Sequence, residues 1–192
     1  MGEKKGVIIS VSAPSGTGKT TIIKNMLKEF PELVFSVSAT TRKKRSGEKE
    51  GVDYFFISEE EFRDKIEKNE FVEWEKFYDY YYGTLKSYID DNINSGKSVI
   101  LEIDVKGALQ VKKIYPEAVL IYILPPSFEE LATRLKNRKT ESQEDFKKRI
   151  ERAKMELSLK DKFDYFIENN ELDKALSDTK NLIEKIIHKG ER

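Results

Sequence analysis

The sequence predicts an α/β fold: a parallel β-sheet flanked by helices, with a small mixed α/β insertion and a helical lid. Three observations carry this. Short β-branched runs apolar on both faces alternate with segments of helical spacing, as parallel sheets covered on both sides require. A glycine-rich turn joins the first such run to the first helix. An aromatic, partly alternating stretch then interrupts the pattern between residues 37 and 88.

Taken in order, Val7-Ile8-Ile9-Ser10-Val11-Ser12 reads as a buried strand. Thr21 to Phe30 places Ile22, Ile23, Met26, Leu27 and Phe30 at helical spacing and stops before Pro31. Within the insertion, Tyr54–Ile57, Phe71–Glu75 and Phe77–Tyr82 are aromatic-rich and partly alternating, a β-rich texture, and Ser58-x-x-Glu61 opens a short helix with a capping box. Ser98–Ile103 and Val119–Leu124 are further core strands, separated by a helical segment from Val105 to Ile114. Ser127-x-x-Glu130 caps a helix running to about Asn137, and a charged helix follows from about Ser142 to Leu159. The polar stretch Arg138-Lys139-Thr140-Glu141 joins the two. A strand at Tyr165–Glu168 and a helix from about Leu172 to Lys189 close the core. The expected organisation is one domain over 1–192, with a core of about 1–36, 89–125 and 160–192, an insertion of about 37–88 and a lid of about 126–159.

Composition removes several chemistries. The 192 residues include no Cys and one His, His188, so a thiolate nucleophile, Cys-ligated metal sites and two-His metal sites are excluded, and a Ser-His-Asp triad is improbable. Lys+Arg and Asp+Glu both number 35, so the net charge of zero supplies no global attraction to nucleic acid or an anionic membrane. The longest apolar run, Ala118–Leu124, is far short of the roughly 20 residues a spanning helix needs. With no apolar signal core near the N-terminus, a cytoplasmic location is expected.

Ala13-Pro14-Ser15-Gly16-Thr17-Gly18-Lys19-Thr20 matches the phosphate-binding loop pattern, with Ala in place of the first glycine. Gly16 and Gly18 permit the backbone to turn its N–H groups inward at a helix N-terminus, making an anion nest. Lys19 supplies a point charge for β and γ phosphates, and the Thr20 hydroxyl suits Mg²⁺. Alanine at 13 is acceptable provided that residue keeps a negative φ. The bland alternative is a glycine-rich βα turn without a ligand.

Val99–Asp104 is an apolar strand ending in two acids, Glu102 and Asp104, two apart and so expected on one side. Arginines that grip phosphate oxygens bidentately fall in two groups. Arg42 and Arg45 sit in a basic turn at the start of the insertion; Arg134, Arg138 and Arg149 bracket the polar stretch of the lid. Solvated or Glu-paired helix arginines are the bland alternative there. Tyr54, Glu73, Tyr82 and Thr84 interleave polar groups with aromatics, which suits either a planar base or a small hydrophobic core with tyrosine edges.

Together these motifs resemble the guanylate kinases, from about Gly6 to about Ile187. The resemblance rests on Ser12 to Thr20, Phe35-Ser36-Val37-Ser38 through Glu48, Gly51-Val52-Asp53-Tyr54, Asn69 through Trp74, Tyr82-Gly83-Thr84 and Glu102-Ile103-Asp104-Val105-x-Gly107. It implies a P-loop NTPase core and reversible, Mg²⁺-dependent transfer of the ATP γ-phosphate to GMP or dGMP. It further implies that Ser38, Arg42, Arg45, Tyr54 and Tyr82 hold the GMP phosphate side, and that Glu73, Thr84 and Asp104 recognise guanine. Lys19, Arg42, Arg134, Arg138 and Arg149 would act on the transferring phosphates, and Asn169 would lie near the adenine. Ala39, Thr84 and Glu102 stand where relatives carry Ser, Ser and Asp. A monomer or homodimer is expected. The competing readings are a non-catalytic interaction module on the same fold, and a P-loop kinase acting on another nucleoside monophosphate or a phosphorylated sugar.

Overall fold

The computed structural model describes residues 5–77, 79–136 and 143–188. The elements of the first half are β1 (Ile8–Ser12), α1 (Lys19–Glu29), β2 (Val34–Phe35), β3 (Ala39–Thr40), β4 (Phe55–Phe56), α2 (Glu59–Glu67), β5 (Phe71–Phe77), β6 (Tyr80–Leu85) and α3 (Lys86–Asn94). The second half adds β7 (Val99–Glu102), α4 (Val105–Ile114), β8 (Val119–Leu124), α5 (Phe128–Lys136), α6 (Gln143–Ser158), β9 (Tyr165–Glu168) and α7 (Leu172–Ile187), with a 3-10 turn at Lys160–Lys162.

Alternation along the central strands builds two cores at once. The five-stranded sheet runs β2-β7-β1-β8-β9 with every pairing parallel. Ile9, Val11, Ile100, Ile121 and Ile123 turn to one face and pack with Ile22, Ile23 and Met26 of α1 and Ala175, Ile183 and Ile186 of α7. Ile8, Val99, Leu101, Leu120 and Tyr122 turn to the other, against Ile89 of α3 and Val105, Ala108 and Val111 of α4. Both faces are covered, which is why these strands read as continuous apolar runs.

A second, four-stranded sheet, β4-β3-β6-β5, belongs to the insertion. Its core is small: Ala39, Phe62, Phe71 and Tyr81, with the Phe62 and Phe71 rings stacked at 4.3 Å. Ser58 caps α2 by accepting from the Glu61 N–H at 3.0 Å. The lid helices α5 and α6 share another small cluster, Leu131, Leu135 and Ala153.

The structure adds detail to several local expectations. Within the run Phe77–Tyr82, Phe77 ends β5 and Tyr80 begins β6, and the two are paired antiparallel. The helix α3, which the sequence did not announce, starts where the insertion was expected to be still running, because Ile89 is drawn into the main core. The strand-end acids are not both on a strand: β7 stops at Glu102, and Asp104 is the N-cap of α4. The polar stretch Arg138–Glu141, with the expected helix ends at Asn137, Ser142 and Lys189, lies outside the described residues.

Candidate functional site

Residues 13–18 lead from the end of β1 to α1. Gly16 and Gly18 take φ of 90° and 91°, the left-handed region that favours glycine. Ala13 keeps out of that region, so the missing first glycine introduces no strain. Gly18 is the N-cap of α1 and provides no side chain to cap it, which leaves the helix N-terminus facing the loop. Thr17, fully buried, donates its hydroxyl to the Pro14 carbonyl at 2.8 Å and closes the turn. Asn169, just beyond β9, donates its amide to the Thr17 carbonyl at 2.6 Å. A Cβ on Gly18 would stand 2.7 Å from that amide nitrogen. The residue expected beside an adenine therefore holds the loop backbone.

Beside the loop lies the C-terminal end of β7. The Thr20 hydroxyl donates to the Glu102 carboxylate. Lys19 donates from Nζ to the Ile103 carbonyl at 3.2 Å. Burial pushes the Lys19 ammonium below its ordinary pKa, against the pull of Glu102, Glu156 and Asp104. Its amine thus lies close to three carboxylates.

The insertion brings a second set of groups to the same strand end. Glu73 and Thr84 are cross-strand partners on β5 and β6, and the Thr84 hydroxyl donates to Glu73 Oε1 at 2.6 Å. Asp104 accepts from the Gly107 N–H at 2.7 Å. A Cβ on Gly107 would lie 3.1 Å from both Asp104 Oδ1 and Glu73 Oε2, so the two carboxylates converge on one glycine. Burial raises the Glu73 carboxyl to about 7; the Thr84 hydroxyl opposes that rise, and the Asp104 and Glu75 charges add to it.

Arg42 is 8% exposed and fixed by Glu48 through two hydrogen bonds of 2.7 and 3.1 Å. Its guanidinium lies over the Tyr54 and Phe56 rings at 5.4 and 5.9 Å. Its hydrogen bonds to the Glu48 carboxylate hold its pKa above the ordinary value. Tyr54 meets Tyr82 edge to face at 6.0 Å. Arg45, exposed, donates its backbone N–H to Glu48 at 2.7 Å, and the Ser38 carbonyl accepts from the Phe55 N–H at 2.9 Å. Thus Arg42, Tyr54 and Tyr82 are gathered in one place, Arg45 shares the Glu48 carboxylate with Arg42 through its backbone, and Ser38 bonds Phe55, the neighbour of Tyr54.

Helix α5 packs against the glycine-rich loop: a Cβ on Gly16 would meet Leu131 and Leu135 at 3.6 Å and Arg134 Cβ at 3.9 Å. Arg134 pairs with Glu130 one turn earlier. Arg149 lies on α6, and Arg138 falls outside the described residues. Sequence reading passed over Arg152 and Glu156, and took Gly107 only as part of a motif. Glu102 it singled out as a strand-end acid standing where relatives carry Asp, without a role at the loop. The spacing of Arg152 and Glu156, four apart on one helix, was the available signal for an ion pair.

Comparison with known proteins agrees with this geometry. A family model described as guanylate kinase matches residues 4–186. The guanylate kinase of Caldanaerobacter subterraneus subsp. tengcongensis is 48% identical over 181 residues, 94% of this chain and 88% of that protein. That of Thermotoga maritima is 49% identical over 172 residues, 90% of this chain and 83% of that protein. The crystal structure of guanylate kinase from Anaplasma phagocytophilum superposes with a TM-score of 0.74 at 32% identity, covering 96% of this chain and 87% of that one. With a family model matched over nearly the whole chain and relatives of this identity and coverage, the chain belongs to the guanylate kinase family.

Proposed function

We propose that this protein transfers the γ-phosphate of ATP to GMP or dGMP, reversibly. The observation that supports this most directly is the placement of the phosphate loop and the Glu73–Asp104 carboxylates around the C-terminal end of one strand, β7. A donor phosphate and an acceptor base bound to these groups would approach each other across that strand end, which is the ligand crevice of open parallel sheets.

The phosphate loop binds the donor with inward N–H groups and Lys19. Once phosphates enter, Lys19 exchanges the Ile103 carbonyl for a charged acceptor, and its ammonium form is stabilised. Glu73 and Asp104 accept from the N1–H and 2-amino donors of guanine, which adenine does not present in the same way. Arg42 and Arg45, with Ser38, Tyr54 and Tyr82, orient the acceptor phosphate. Arg42 arrives already aimed by Glu48. Arg134, Arg138 and Arg149 clamp the transferring group, and the closing of α5 and α6 keeps water from competing as the acceptor.

Thr20 and Glu102 provide a hydroxyl and a carboxylate side by side at the loop, hard oxygen donors that fit Mg²⁺. Among the described residues no cluster of three or more His, Cys, Asp or Glu is arranged to hold an ion by itself. Most ligands would then come from phosphate oxygens and water, and the ion when bound neutralises charge on the phosphates. We assign the protein to the cytoplasm; among the described residues no helix is long and apolar enough to cross a membrane.

The test is a coupled assay of ADP formation from Mg·ATP with GMP, dGMP, AMP, CMP and UMP in turn. Turnover is expected with GMP and dGMP. Absence of GMP-dependent turnover at every Mg²⁺ concentration would refute the assignment.

A further inference from the structure

Arg152 lies on α6 and reaches carboxylates from three parts of the chain. Its Nη2 donates to Asp104 Oδ2 at 2.8 Å, at the start of α4, and to Glu75 Oε2 at 3.1 Å, on β5. Its Nε donates to Glu156 Oε1 at 3.0 Å, one turn further along α6. The guanidinium also sits over the Phe77 ring at 5.9 Å. Glu156 is 4% exposed, a buried carboxylate for which the phosphate-transfer chemistry above has no use.

We propose that Arg152 is a positioning residue for recognition of the acceptor base, acting through Asp104 and coupling that recognition to the docking of α6 on the insertion. The inference rests on the GMP-kinase reading of the site. Glu73, Glu75, Asp104 and Glu156 crowd four acids around the base side, and their mutual repulsion would drive Asp104 out of the pocket if no cation held it. Arg152 supplies that cation at the Oδ2 atom while the Gly107 N–H holds Oδ1. Each carboxylate oxygen has two lone pairs, so one remains on each for donors of the base. A planar fork meets three acids in fixed directions, whereas a lysine ammonium on a flexible stem does not. Because two of the three acids lie outside the lid, this arrangement exists only while α6 rests against β5 and α4. Arg152 is engaged on all three sides by carboxylates and is not a further phosphate clamp.

The experiment compares wild type with Arg152→Met, Arg152→Lys and Glu75→Gln. The readouts are KM for GMP, KM for ATP, and the kcat/KM preference for GMP over IMP, which lacks the 2-amino group. For Arg152→Met the GMP KM is expected to rise about tenfold or more and the GMP-over-IMP preference to fall about tenfold, with ATP KM within about threefold. Arg152→Lys recovers part of the preference. Glu75→Gln raises the GMP KM by a smaller factor, and adding it to Arg152→Met has no further effect, since the shared contact is already gone. Thermal melts and ATP binding check folding; if Arg152→Met fails to fold, the preference is read from Arg152→Lys and Glu75→Gln. An unchanged GMP-over-IMP preference in the folded variants overturns the proposal, as does a rise confined to ATP KM. Wild-type enzyme that ignores GMP overturns the parent reading as well, so the two failures are told apart.

Discussion

Glu73→Gln should make the ligand-free protein more stable and the enzyme worse, with both effects growing with pH. Burial raises the Glu73 carboxyl from an ordinary 4.5 to about 7. The folded chain therefore holds a proton there that the unfolded chain has lost, and stability declines as pH rises from about 4.5 through about 7. At 1.36 kcal/mol per pKa unit, that gap is worth about 3.4 kcal/mol above pH 7. Contact of the half-buried carboxyl with water reduces this to about 2 kcal/mol. Glutamine keeps the shape and carries no such penalty. For a chain of 192 residues, where each kcal/mol moves Tm by about 2–4 °C, the variant should melt about 4–8 °C above wild type at pH 8. At pH 5 the two should nearly coincide. The same substitution removes a charged acceptor from the base pocket, so the GMP KM should rise about 10²-fold while ATP binding is nearly unchanged. Paired calorimetric melts at pH 5 and 8, with steady-state kinetics in both nucleotides, measure all of this. A melting difference independent of pH, or equal losses for GMP and ATP, would refute the assignment of a strained, functional carboxylate.

Four further outcomes are expected. Lys19→Ala should lower kcat by about 10² or more in the coupled assay, because its charge works on the transferring phosphate. Asn169→Ala leaves the Thr17 carbonyl without its 2.6 Å partner; chemical denaturation should show a loss of about 1–3 kcal/mol, with a raised KM for ATP and little change for GMP. Gly107→Ala places a methyl 3.1 Å from Asp104 and Glu73, so the GMP KM should rise while ATP binding, measured by titration calorimetry, is retained. In wild type, affinity for GMP should improve as pH rises to about 7 and then level off, since donors of the base favour the ionised form of Glu73.

Much of this fold is legible in the chain because its signals are local. The β-branched runs at Ile8–Ser12 and Val119–Leu124, the glycines that need φ near 90° and the caps at Ser58 and Ser127 each act within a few residues. What escaped depends on distant partners. The helix α3 has no strong start signal, only Leu85 as a cap without a side-chain bond, and it is held by Ile89 in the main core. The two-residue β2 exists because Val34 and Phe35 pair with Val99 and Ile100. The strand end at Glu102 is set by α4, whose N-cap claims Asp104. Arg152 illustrates the same limit at the site: its pairing with Glu156 is local, whereas Asp104 and Glu75 lie 48 and 77 residues away. Asn169 likewise reaches Thr17 across 152 residues, and no periodicity reveals such a contact.

The division of apolar residues into separate clusters has a consequence for how the molecule opens. Among the described residues the smaller sheet rests on a core of four fully or nearly buried residues and the α5–α6 pair on three, while the central sheet commands the two large clusters. Local unfolding free energies follow such differences. Amides of β3 and β5 should therefore exchange with solvent through a partial opening that leaves β1 and β8 protected. Nucleotides that touch insertion, lid and sheet together would slow that exchange, joining three cooperative units into one for the duration of a turnover.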